Sequence, residues 1–200
     1  MLYPKLKFPK VSGRPFFYTN FVQTVDGKVQ VKKPGYWPIG SKTDHDVLME
    51  LRGHTDVLIH GANLAKEFGK ITLKHLPKKV AYYVMSRESL GAKLDHLEGG
   101  LRWHLFSGSI KKLVNELQSK GYRNILVEGG PTLLGSFLKE NLIDEIFLTI
   151  APKIYGTESG STLTLVEGIL FNPANIKKLK LVSVKKVGDE LFLRYRAQNQ

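Results

Sequence analysis

Asn124-Ile125-Leu126-Val127-Glu128-Gly129-Gly130-Pro131-Thr132-Leu133 is the stretch on which the reading of this chain turns. Its apolar run reads as a buried strand, Glu128 to Thr132 as a turn, and Leu133 to Asn141 as a helix. The two glycines let the backbone come close to a ligand, and Pro131 suits a first helical turn, where its missing N–H costs nothing. The helix N-terminus behind them offers free N–H groups and a partial positive charge, which suit a pyrophosphate. The same residues also suit a turn that only lets strand meet helix. The motif is neither G-x-G-x-x-G nor a P-loop.

Working outward, Ile110, Leu113, Val114 and Leu117 are spaced as one helical face, and Gly121 sits where a C-terminal cap belongs. Ile143 to Ile150 is a further strand, broken by Ala151-Pro152. Residues 153 to 178 read mostly as loop. Leu179 to Val187 and Glu190 to Arg196, joined by Gly188-Asp189, form a β-hairpin. Toward the N-terminus, Phe16 to Thr24 is too apolar for a surface strand and reads as a central one. Asp26-Gly27 makes a tight turn from which Lys28 to Val31 runs on. Ser41 caps a helix that carries Val47, Leu48 and Leu51 and stops at Gly53. Asp56 to Gly61, Val80 to Met85 and Leu101 to Phe106 are three more short apolar strands. Helices alternating with buried strands predict one three-layer α/β domain over residues 1–200. Its central sheet is mainly parallel, with helices on both faces and a C-terminal antiparallel hairpin.

Composition narrows the function. The 200 residues are 42% hydrophobic and 24% charged, a globular balance. No apolar run is long enough to span a bilayer, and the chain reads as cytoplasmic. With no cysteine, disulfides, thiolate nucleophiles and Cys-ligated zinc are excluded. The net charge of +12 suits a phosphate-bearing small molecule or a nucleic acid, and it also arises in proteins that are basic for solubility alone. Lys177, Lys178, Lys180, Lys185 and Lys186 alternate with apolar residues as the outer face of a strand does. Asp44-His45-Asp46 lies on a helix, where neighbours diverge by about 100° and cannot chelate together. No metal site is expected.

Two more turns share the grammar of the first. His60-Gly61-Ala62-Asn63-Leu64 is strand, glycine, helix. Val84-Met85-Ser86-Arg87-Glu88 places a hydroxyl beside a guanidinium at a strand end, a pair that can hold a phosphate monoester. Three strand ends at one edge of a parallel sheet form the crevice where open α/β folds bind ligands. An extended ligand with two phosphate regions is expected there.

Arg14-Pro15-Phe16, Asn20, Thr24-Val25-Asp26-Gly27-Lys28, Leu51-Arg52, Asp56 to Gly61, Ile125 to Leu133, Leu142 to Glu145 and Ile150 to Gly156 follow one another in an order that resembles the reductase domain of riboflavin biosynthesis. That family is a branch of the dihydrofolate-reductase-like superfamily. The resemblance implies an NADPH-dependent reductase acting on 5-amino-6-(5-phosphoribosylamino)uracil, with hydride delivered to ribose C1′. It implies a cofactor set of Thr24, Asp26, Gly27, Gly61, Asn63, Leu64, Ser86, Arg87, Glu128, Gly129, Gly130, Thr132 and Leu133. Asn20 and Glu67 fall toward a phosphorylated small-molecule substrate, and no catalytic proton donor is assigned. The family's Asp-Asp-Pro segment is replaced here by Asn63 to Gly69, with Glu67 standing for its first acid. The zinc deaminase domain often fused to such reductases is not expected, since its cysteine ligands are missing. A homodimer is expected from the same family. Two other readings stand beside this one: a reductase of this fold with a different substrate, and a non-enzymatic basic domain that binds nucleic acid.

Overall fold

The computed structural model describes residues 1–35, 37–86 and 103–198. In chain order its strands are β1 (Phe16–Thr24), β2 (Lys28–Val31), β3 (Val57–Gly61), β4 (Ala81–Met85), β5 (Trp103–Phe106), β6 (Asn124–Gly129), β7 (Glu145–Ala151), β8 (Thr162–Thr164), β9 (Leu179–Val187) and β10 (Glu190–Ala197). Its helices are α1 (Lys42–Gly53), α2 (Ala62–His75), α3 (Ile110–Ser119) and α4 (Pro131–Lys139). Successive side chains of β1 leave on opposite faces, and both sets are apolar. Phe16 and Tyr18 enter one core cluster while Phe17 enters the other. A strand of that kind must be covered on both faces, so it sits inside the sheet.

The eight-stranded sheet runs β5-β4-β3-β6-β1-β7-β10-β9. Every pairing from β5 to β7 is parallel, and β10 and β9 add antiparallel strands at one edge. On one face Val47 and Leu51 of α1 and Ala65 of α2 pack with Tyr18, Leu58, Tyr82 and Leu126. On the other, Leu113 and Leu117 of α3 and Leu134 and Phe137 of α4 pack with Phe17, Ile59 and Val127. The three-layer architecture and the terminal hairpin agree with the sequence reading. Phe17 and Phe137 are fully buried, and each stabilises the fold by roughly 2–3 kcal/mol through area removed from water.

Charged pairs fix the edges. Asp144 receives both Nη groups of Arg14, each at 2.7 Å, and the amide of Phe17 at 2.8 Å. Glu145 is fully buried between Arg194 and Arg196 of β10. The N-terminal segment crosses the α1 face, where Phe8 stacks on Phe16 and Tyr18. Glu50 accepts the amides of Leu2 and Tyr3.

The structure adds two details. β2 pairs antiparallel with β8, a short strand inside the stretch read mostly as loop. Its sequence, Lys-Val-Gln-Val, is too polar to be buried on two faces. α4 starts at Pro131 rather than Leu133, because proline at the first helical position already has helical φ. Arg87 and residues 101 and 102 of the expected 101–106 strand lie outside the described residues. Among the described residues no helix is long and apolar enough to cross a membrane.

Candidate active site

Among the described residues four α-helices begin around this sheet, and their caps divide them into two kinds. Ser41 caps α1 by accepting the amides of Thr43 and Asp44, and Ser109 caps α3 by accepting that of Lys112. α2 and α4 begin instead at Gly61 and Gly130, with no side-chain cap and no acid in the first turn. Those two uncapped ends lie together. A Cβ built on Gly61 would stand 3.3 Å from the carbonyl oxygen of Gly129 and 3.9 Å from Leu133 Cβ. Gly129 and Gly130 have φ of +49° and +32°, a region side chains disfavour, and nothing lies within 4 Å of where a Gly130 Cβ would be. Adjacent helix N-termini with open space over glycine are what an anion with two phosphates requires. The residues present therefore fit a dinucleotide's pyrophosphate.

Beneath this turn lies a buried polar row. Arg52 of α1 donates from Nε and Nη2 to the two oxygens of Glu128, at 2.7 and 2.6 Å. His60 Nε2 lies 2.9 Å from Glu128 Oε2, and the Tyr82 hydroxyl lies 2.9 Å from His60 Nδ1. Burial alone would push the Glu128 carboxyl up. The hydrogen bonds from Arg52 and His60 reverse that and hold it down at about 2. Burial likewise raises the Tyr82 hydroxyl well above its ordinary range. The side chain of Glu128 is thus committed beneath the turn, and its glycine neighbours form the upper surface.

At the end of β1, Asp26 accepts from Thr24 Oγ1 at 2.5 Å and from the amides of Tyr155 and Gly156 at 3.3 and 2.8 Å. The Thr24 bond, then those amides, hold its carboxyl below the usual range. Asp26 therefore ties the end of β1 to the segment that follows β7. Beside this tie, Val31, Lys33, Trp37, Tyr155 and Ser161 line a hollow of about 200 Å³. The Trp37 and Tyr155 rings meet edge to face at 5.9 Å.

The other expected residues distribute as follows. Asn20 is only 9% exposed, and its Oδ1 has no hydrogen-bond partner among the described residues. By register it stands opposite Phe147 of β7, on the α1 face. Leu64 is half-buried in the first turn of α2, while Asn63 and Glu67 are exposed on it. Thr132 is exposed at the start of α4. The Ser86 amide donates to the Phe106 carbonyl just past β4. Gly61, Gly129, Gly130 and Leu133 are in mutual reach; Thr24, Asp26 and Gly27 sit at the same carboxyl edge of the sheet. Local spacing does not single out Arg52, His60 and Tyr82 as site residues. The available signal was a histidine inside the apolar run Val57 to Gly61, since a buried polar group needs partners.

A model of the RibD C-terminal domain matches residues 15–193. The chain is 35% identical, over 91% of its length and 98% of the relative's, to the 2,5-diamino-6-ribosylamino-4(3H)-pyrimidinone 5′-phosphate reductase of Methanothermobacter thermautotrophicus. It is 25% identical to the riboflavin biosynthesis protein RibD of Aquifex aeolicus, over 92% of this chain but only 58% of that protein. A diaminohydroxyphosphoribosylaminopyrimidine deaminase/5-amino-6-(5-phosphoribosylamino)uracil reductase from Thermotoga maritima superposes with a TM-score of 0.76 at 21% identity, over 92% of this chain and 57% of that one. The dihydrofolate reductase of Enterococcus faecalis, solved with NADP(H), superposes with a TM-score of 0.59 at 10% identity, over 92% and 96%. These two likenesses concern the fold.

Proposed function

Because the chain belongs to the RibD C-terminal domain family, we propose that it is an NADPH-dependent reductase of riboflavin biosynthesis whose substrate is a 6-ribosylamino-pyrimidine 5′-phosphate. The observation that carries the cofactor half is the pair of uncapped helix N-termini meeting at Gly61 and Gly130. When bound, the dinucleotide supplies the hydride that reduces C1′ of the opened ribose. The chain's own residues bind and orient. The amides of Gly129, Gly130 and Thr132 would hold the diphosphate, with Leu133 of α4 and Leu64 of α2 as apolar neighbours. Ser86 and Arg87 take the 2′-phosphate, which makes NADPH the preferred dinucleotide. Thr24, Asp26 and Gly27 shape the nicotinamide end. Asn20, with a buried amide oxygen awaiting a donor, and Glu67 face the substrate. The +12 charge suits two phosphorylated ligands.

For the pyrimidine, 5-amino-6-(5-phosphoribosylamino)uracil is the expected form. A second reading, the 2,5-diamino-4-pyrimidinone counterpart, is favoured by the relative that this chain covers almost end to end. The chain acts as a homodimer through β9 and β10. By register Leu179, Leu181, Val184 and Leu191 share one sheet face, and each is 38–51% exposed.

The test offers each pyrimidine with NADPH or NADH and follows loss of the reduced nicotinamide absorbance. Turnover of one pyrimidine, selective for NADPH, is expected. Arg87→Ala should weaken NADPH by about tenfold or more, the worth of a charge-assisted contact, and leave NADH unchanged. Equal losses for both dinucleotides remove Arg87 from the 2′-phosphate. Tight NADPH binding with neither pyrimidine reduced overturns the substrate reading and leaves the cofactor reading standing.

A further inference from the structure

We infer that His60 is a positioning residue for the cofactor turn: it holds a bulge at Glu128 that brings Gly129 and Gly130 against Gly61. The inference rests on the cofactor reading above. β3 and β6 pair in step from Val57↔Ile125 through Ile59↔Val127, and then His60 stands opposite Gly129. Glu128 is the extra residue. A bulge of this kind takes one residue out of the ladder and bends its strand, so it needs something to hold it.

The Glu128 carboxylate supplies the hold. Arg52 grips it from α1 at 2.7 and 2.6 Å, and His60 grips it from β3 at 2.9 Å. His60 directly precedes Gly61, where α2 begins, and Glu128 directly precedes Gly129. Their hydrogen bond therefore joins the two strands at the last residue before each glycine turn. Tyr82 on β4 bonds the other ring nitrogen at 2.9 Å and fixes the ring plane. Packing does not explain a histidine here. At 1% exposure an aliphatic side chain would fill the site without burying two polar nitrogens. Without the His60 bond, Glu128 is held from one side only, and the bulge can slide back toward regular pairing. Gly129 then moves away from Gly61, and the space over the two helix ends changes shape.

The test compares His60→Leu with His60→Gln, whose amide nitrogen reaches Glu128 much as Nε2 does. His60→Leu should raise the Kd and KM for NADPH about tenfold, the worth of one hydrogen bond to a charged acceptor, with far less change in kcat. His60→Gln should stay within about threefold of the wild type, because it restores the donor. In cofactor-free protein the Leu133 and Leu134 amides, which donate to the Gly130 carbonyl, should exchange with deuterium faster in His60→Leu and at the wild-type rate in His60→Gln. That readout needs no cofactor, so it separates the inference from the reading it rests on. Wild-type affinity and exchange in a folded His60→Leu protein overturn the inference, as does His60→Gln behaving no better than His60→Leu. Should His60→Leu not fold, His60→Asn, polar but too short to reach Glu128, takes its place with the same expectations.

Discussion

Glu128 is 9% exposed, with a guanidinium on one side and an imidazole on the other. Its folded pKa of about 2 lies below the ordinary 4.5, so the folded state binds the proton less readily than the unfolded one. The stability it contributes is therefore full above pH 4.5 and lost as pH falls from there toward 2. Urea midpoints taken through that window should fall for the wild type and fall less steeply for Glu128→Gln, which at neutral pH is less stable because it leaves Arg52 without its counter-charge. Parallel slopes would mean that other carboxylates carry the acid sensitivity. At this scale the sequence was legible in part. The glycines of the turn announce a close backbone approach, and the adjoining acid reads with them as a ligand contact. Its actual partners, Arg52 and His60, are 76 and 68 residues away. Such a pairing follows from strand order and a bulge, and neither is written in local spacing.

Elements were more legible than contacts, because periodicity and caps are local. Ser41 caps α1 as its sequence suggests, and its hydroxyl also donates to Glu190 at 2.5 Å, joining the helix start to β10. The hairpin of β9 and β10 was evident from its turn. What attaches it to the parallel sheet was not, since Glu145 reads as one more charge in an apolar strand. In the fold it is fully buried opposite Arg196, with Arg194 alongside. Glu145→Ala should destabilise the protein by about 3 kcal/mol, because it strands the mostly buried Arg194. Arg196→Ala, where the side chain is 48% exposed, should cost under about 1 kcal/mol. Chemical denaturation measures both, and similar losses would contradict the assignment. The β2 and β8 pair escaped the sequence reading because short, half-exposed strands leave little alternation to detect.

For the whole molecule, the sheet ends in the apolar face of Leu179, Leu181, Val184 and Leu191. If two copies meet there, Leu181→Lys should shift sedimentation from dimer to monomer at micromolar concentration and leave the monomer folded; a wild type already monomeric ends the proposal. The strand order has another outcome, one of timing. β1 finds its neighbours only in β6 and β7, so the first strand made is among the last to be satisfied. About 100 residues separate it from β6, on the order of 5–20 s of ribosomal synthesis. Through that interval the growing chain carries Phe16-Phe17-Tyr18 with no partner strand on either side. The growing chain, before β6 is made, is therefore where this apolar segment is exposed to aggregation.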